Sequence, residues 1–147
     1  MTREFVPEGI AIALREIGFD ERCMSADWYA DGKICIEYPE EGVTNTEHDK
    51  LTKECNDDAA ETGEDKIEDG ATVPLYQQAF RWFREKYKLN SSILLVANGY
   101  GFYVHKDRNY TNNGESYGVY ITYKEAEQAC LDKLIKICKT KTNEQID

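Results

Sequence analysis

The segment Val73 to Leu89, VPLYQQAFRWFREKYKL, constrains this chain more than any other. A proline opens it, and Tyr76, Ala79, Phe80, Phe83 and Tyr87 recur at helical spacing. The spacing therefore predicts an amphipathic helix with a stripe of rings that must be buried. Two strand patterns follow at once, Ile93 to Ala97 and Tyr100 to His105, joined across Asn98-Gly99, a pair that favours tight hairpins. A sheet delivered directly after an aromatic helix is the natural surface for that stripe.

The same logic orders the rest. Pro7 to Ile17 reads as a helix with Ile10, Ala13, Leu14 and Ile17 on one side and Gly18 as terminator. Met24 to Ala30 and Lys33 to Tyr38 read as strands about Asp31-Gly32, with Ile34, Ile36 and Tyr38 on the buried face and Lys33, Cys35 and Glu37 outside. After the polar loop Asp107 to Gly114, a fifth strand is expected at Tyr117 to Thr122. Thr122 and Glu125 then make a capping box for a last helix to about Lys139, buried through Ala126, Cys130, Leu134, Ile137 and Cys138. Residues 39–72 break the pattern: they are acid-rich and poor in large apolar residues. They read as an insert, mobile over Asp57 to Asp69 or carrying one short surface helix through Leu51, Cys55 and Ala59, with Thr46 and Asp49 as a loose cap.

The expectation is thus a single α+β domain over residues 1–147. It has an antiparallel sheet of about five strands and three helices mainly on one face, ordered helix, two strands, insert, helix, two strands, strand, helix. Leu14-Arg15-Glu16 and Phe83-Arg84-Glu85 each end a helix before a hairpin, an echo too short to establish duplication.

Charge is unevenly placed. The net charge is −10, with residues 1–39 at −4, residues 40–69 at −9 and residues 70–147 at +3. The isoelectric point alone therefore does not exclude nucleic acid. Five cysteines, Cys23, Cys35, Cys55, Cys130 and Cys138, contain no Cys-x-x-Cys pair and follow no apolar leader, so they are expected as reduced thiols in a cytoplasmic protein. No run of 18 apolar residues calls for a membrane.

No motif carries recognised chemistry. His48 and His105 are the only histidines, and the thiols lack zinc-site spacing. The acidic run from Asp57 to Asp69 does not match an EF-hand loop. A Cys-His or Ser-His nucleophile, or a carboxylate pair involving Asp107 and Glu115, has no support from spacing. Gly99-Tyr100-Gly101 lies between strands and lacks the third glycine of a phosphate loop. No cofactor is implied. The strongest candidate is a binding surface of Arg81, Trp82, Arg84, Lys86 and Lys88 with the hairpin rings Tyr100, Phe102 and Tyr103, since cations neutralise phosphates and exposed rings stack on bases. The same spacing also describes the solvated side of an ordinary amphipathic helix. Trp82, off the main stripe, either meets a partner or seals the core margin. Tyr117, Tyr120 and Tyr123 fit a ligand or dimer surface, or plain strand packing.

The stretches YQQAFRWFREKY (Tyr76 to Tyr87) and YKEAEQACL (Tyr123 to Leu131), with the opening Ile10 to Phe19, resemble small proteins encoded in phage and mobile-element regions of gut anaerobic bacteria. The resemblance covers most of the chain outside residues 39–72. That family has no established activity, so the resemblance implies context only: an accessory protein in a bacterial cytoplasm. With no motif that carries chemistry, a non-enzymatic role is expected. The leading expectation is binding to a protein partner, or to another copy of the chain. The alternatives are nucleic-acid binding through the basic aromatic helix, and an acidic DNA mimic in which residues 40–69 supply phosphate-like charge.

Overall fold

The computed structural model describes residues 5–37, 41–63, 66–106 and 115–145. The expected loop at Asp107 to Gly114, Tyr38, and the side chain of Tyr117 lie outside them. The chain is α+β and divides into two compact units, Met1–Pro74 and Leu75–Asp147. Where the sequence predicts one sheet of about five strands and three helices, the described residues of each unit form their own three-stranded antiparallel sheet and two helices.

In the first unit the order is α1 (Glu8–Glu16), β1 (Met24–Tyr29), β2 (Ile34–Glu37), α2 (Asn45–Thr62) and β3 (Ile67–Val73). The sheet order is β2-β1-β3. Pro7 precedes α1 in an extended conformation, and Ile10, Ala11 and Leu14 form its buried side. The β1–β2 turn is one residue longer than the Asp31-Gly32 pair suggested: Tyr29 N–H bonds Lys33 O at 3.0 Å across Ala30-Asp31-Gly32. Gly32 at φ 85° supplies the left-handed step such a three-residue loop needs.

Residues 39–72, expected as an insert, instead supply the long helix α2 and the strand β3. Thr44 caps α2, its hydroxyl accepting from Glu47 N–H at 3.2 Å; the cap lies two residues before the expected Thr46. Gly63 ends the helix at φ 77°. The face turned inward also differs. Leu51 is 48 % exposed and Cys55 is exposed, while Asn45, His48 and Ala59 are buried and Thr52 and Asn56 half-buried. The inner stripe is helical in spacing and polar in content.

β1 is buried along most of its length on both faces, so no alternation is seen. Asp27 and Gly70 face α2, whose His48 and Thr52 approach Gly70 closely. Ala26 and Ala71, one residue along each strand, face the other way, where Trp28 and Ile34 share a surface depression with Glu8 of α1. Helices thus cover both faces of this sheet rather than one. The expected buried face of β2 is not buried: Ile34 is 57 % and Ile36 40 % exposed.

In the second unit α3 (Tyr76–Tyr87) leads into β4 (Leu89–Val96), β5 (Gly99–Lys106), β6 (Glu115–Tyr120) and α4 (Tyr123–Gln145), with sheet order β4-β5-β6. The echo between units stops at the third strand, which lies beside the first strand in one unit and beside the second in the other. Tyr76, Ala79, Trp82 and Phe83 are buried, and Phe80 and Tyr87 are half-buried. The stripe is wider than expected because α3 packs against both β4 and α4. Lys88, at φ 57°, turns the chain from α3 into β4. The Thr122 hydroxyl accepts from Glu125 N–H at 3.1 Å, the expected cap of α4. Burial on α4 runs through Ala126, Cys130, Leu131, Leu134, Ile135 and Cys138. Each large apolar side chain so buried contributes roughly 1.5–3 kcal/mol.

Candidate functional site

The residues proposed from sequence do not assemble into one surface. Arg81, Arg84, Lys86 and Lys88 are exposed on or just beyond α3. Trp82 is not: it is 5 % exposed and packs edge-on against Phe83 (ring centroids 5.0 Å) and Tyr87 (5.3 Å). Lys86 Nζ lies 5.3 Å from its ring centroid. Trp82 seals the core and offers no face for a base. Tyr100 and Tyr103 lie on opposite faces of β5, as odd and even neighbours in a strand must. Tyr100 meets Tyr123 of α4 edge-on at 5.7 Å, while Tyr103 lies 5.5 Å from the His105 ring. Phe102 is buried and stacks on Tyr120 at 6.1 Å.

What the fold does bring together is an apolar end of the second sheet. Leu95 pairs with Tyr100 and Tyr100 with Tyr120, forming one row across the three strands. Between Tyr117 and Tyr120 the register slips by one residue opposite Tyr100–Phe102, and Gly118 at φ 65° accommodates the bulge. The bulge keeps Tyr120 on the Phe102 side, and Ile121 and Tyr123 follow directly. At this end Leu95 is 79 %, Ile121 83 %, Val119 63 %, Tyr123 50 % and Leu94 43 % exposed. Single exposed apolar residues are ordinary; here Leu95 stands on the Tyr100–Tyr120 face and Leu94 and Val119 on the opposite one, so the exposed side chains gather at one end of the sheet rather than on one face, and that end is the candidate contact surface.

A second cluster lies inside the first unit. His48 Nε2 is 3.0 Å from Asp27 Oδ1 and 3.4 Å from Ala26 O. Asn45 Nδ2 donates to Phe19 O at 2.7 Å, and its Oδ1 accepts from Thr72 N–H at 2.9 Å. Asn56 grips Ile67 twice, at 2.8 and 3.1 Å, and Arg15 donates to Gly70 O. Thr72 N–H and Gly70 O both point away from β1, so these side chains occupy the edge of β3 where a fourth strand would bond. The cluster closes a sheet edge. Asp27 and His48 are 8 % and 4 % exposed, which leaves little access for a substrate. Sequence reasoning weighed His48 only as a metal ligand or base and did not bring these residues together; the signal was the 45, 48, 52, 56, 59 periodicity, hidden because its members are polar or small.

The thiols follow burial. Cys23 and Cys130 are each pushed up to about 11, chiefly by burial; the Thr72 and Ser91 hydroxyls pull back only part of the shift. A thiol held protonated is a poor nucleophile. Cys35 and Cys55 are exposed. Alkylation of the native protein with iodoacetamide near neutral pH is therefore expected to label Cys35 and Cys55 first, half-buried Cys23 more slowly, and Cys130 and Cys138 only on denaturation, as peptide mapping will show. Because the folded-state values of Cys23 and Cys130 lie above the ordinary 9.0, their contribution to stability is full below pH 9. It is lost as pH rises through about 11, up to roughly 2 kcal/mol per thiol. Rapid labelling of Cys130 in folded protein would contradict this.

Among the described residues, no group of three His, Cys, Asp and Glu side chains converges as metal ligands do. No helix of the structure is long and apolar enough to cross a membrane. In comparisons with known proteins the chain matches no family model, no curated sequence and no solved structure.

Proposed function

We infer that this chain is a non-enzymatic binding protein that docks another protein through the apolar sheet end of its second unit. Its setting is the one the sequence resemblance implies, a phage or mobile-element accessory protein in a bacterial cytoplasm. The observation that carries the reading is the exposure of Leu95 and Ile121, 79 % and 83 %, beside the half-buried rings Tyr100 and Tyr120. Anchors of this kind supply most of an interface's energy when a partner removes them from water. Burying Leu95 and Ile121 together would contribute about 3–6 kcal/mol, enough to matter for affinity and not needed for folding.

The test pairs Leu95→Asp with Ile121→Asp. Both positions are solvent-exposed, so thermal unfolding should match wild type, while a protein retained from host extract by the wild-type chain should be lost from the double variant. Equal retention by both would remove the reading.

Nucleic-acid binding is the second reading, favoured by Arg81, Arg84, Lys86 and Lys88 standing exposed in a unit whose net charge is +3 over residues 75–147. It predicts retention on single-stranded oligonucleotide that falls steeply with salt and weakens in Arg81→Ala/Arg84→Ala. Trp82 and Phe102 are buried and the half-buried Tyr100 and Tyr103 lie on opposite faces of β5, which weakens the stacking half of that design. The DNA-mimic reading draws on the 20 acids and 7 bases of residues 1–74, a net −13. Deleting residues 40–69 would remove α2 and part of β3 with the charge, so charge-neutralising substitutions on exposed Glu54, Asp57, Asp58 and Glu61 are the appropriate variants.

A further inference from the structure

The two edges of the first sheet are treated differently. The β3 edge is closed by Asn45, Asn56 and Arg15. The β2 edge is the terminal strand of the sheet order. In the β1–β2 ladder, Tyr29 and Lys33 form a hydrogen-bonded pair. Counting by two through the register, Asp27–Cys35 and Ser25–Glu37 do the same, and Trp28–Ile34 and Ala26–Ile36 are the non-bonded pairs. The N–H and C=O groups of Ile34 and Ile36 consequently point outward, and among the described residues no strand pairs with them. Their side chains are 57 % and 40 % exposed. Natural sheets blunt such an edge with charge, proline or a covering loop, or else use it.

Chemistry beside the edge indicates what it would take. Ile34 lines a depression of about 220 Å³ with Glu8, Trp28, Tyr29, Gly32 and Glu68. A second depression, about 370 Å³, adjoins it through Tyr29 and Glu68. Two carboxylates beside two rings suit a guanidinium, which pairs with carboxylates through a planar fork and stacks on aromatic faces. The surrounding unit carries −13, which steers cations and repels a second copy of the same unit.

We propose that the outer edge of β2 binds an extended, arginine-bearing segment of a partner protein by strand addition. The segment's backbone bonds Ile34 and Ile36, and one of its arginines enters the depression between Glu8 and Glu68. Main-chain bonds give the affinity of such complexes, and pockets for alternate side chains give the specificity. The site is independent of the apolar sheet end in the second unit, so either can fail alone.

The probe is a fluorescein-labelled peptide of alternating arginine and threonine, followed by fluorescence anisotropy with the full chain. Four outcomes are expected: binding by this peptide, none by its glutamate counterpart, about tenfold weaker binding when its central amides are N-methylated, and a similar loss in Ile36→Pro, which removes one outward donor without touching the β1 ladder. Glu8→Gln/Glu68→Gln should weaken binding about fivefold while leaving the peptide's sensitivity to N-methylation intact. The methylated peptide needs no variant protein, so it decides even where Ile36→Pro disturbs the fold. Equal binding of methylated and unmethylated peptides would reduce the effect to charge attraction and overturn the proposal, as would failure of the arginine peptide to bind. A dimer in sedimentation that Ile36→Pro dissociates would assign the edge to a second copy and overturn it too.

Discussion

Gly99→Ala is expected to destabilise the second unit by about 3 kcal/mol, the sum of a backbone penalty and an overpacking penalty. Gly99 opens β5 at φ 151°. A methyl group there would run into the carbonyl of Tyr120, with the carbonyl carbon 3.1 Å and Val119 Cγ1 3.6 Å away. A flexible side chain could swing clear; a carbonyl in the β5–β6 ladder moves only if the strands part. Gly32, at φ 85° with nothing within 4 Å of where an alanine methyl would stand, is the control, since alanine there meets the backbone penalty alone. Each unit holds one buried tryptophan, Trp28 in the first and Trp82 in the second. In a Trp28→Phe background the fluorescence of Trp82 reports the second unit, where Gly99→Ala should lower the midpoint by roughly 12–24 °C. A shift no larger than that of Gly32→Ala, read from Trp28 of the first unit in a Trp82→Phe background, would show that the Tyr120 carbonyl is not the obstacle.

Asn45→Ala should cost the first unit about as much, for a different reason. Asn45 is 4 % exposed, and its amide serves Phe19 O and Thr72 N–H at once. Removing it leaves two backbone groups without that amide in a place water reaches poorly, each costing about 1–3 kcal/mol. Trp28 fluorescence in a Trp82→Phe background will follow the unfolding. Asn45→Asp keeps the acceptor for Thr72 and replaces the donor to Phe19 with a second acceptor, so it too should destabilise. A loss under about 1 kcal/mol in the alanine variant would mean that α2 is held by its few apolar contacts, contrary to the account of a polar stripe.

The contrast between α2 and α3 explains what the sequence discloses. In α3 the buried positions are Tyr76, Ala79, Trp82 and Phe83, so hydropathy and periodicity agree and the helix is legible. In α2 the buried side is Asn45, His48 and Ala59, flanked by half-buried Thr52 and Asn56, while Leu51, the one large apolar residue, points outward. A reader weighing apolar residues follows Leu51, Cys55 and Ala59 onto the wrong face and reads an acidic loop. β3 is missed for the same reason. Its outer backbone groups are met by side chains from α1 and α2 rather than by a strand, and sequence offers no sign of that arrangement. Trp82 is ambiguous in the sequence because it stands off the main stripe of rings, and its 5 % exposure is a tertiary fact that helical spacing does not carry. The apolar sheet end depends on the bulge at Gly118, which keeps Tyr120 beside Phe102 and leaves Val119 and Ile121 in solvent.

Exposed apolar residues that folding does not require are the ground for reading this protein as a binder. The most direct measurement is photocrosslinking in host extract with benzophenone side chains placed singly at Leu95 and Ile121, and at Gln128 as an exposed control on α4. Docking at the sheet end predicts one protein captured in common from Leu95 and Ile121 and absent from Gln128. Capture no greater at Leu95 and Ile121 than at Gln128 would contradict it.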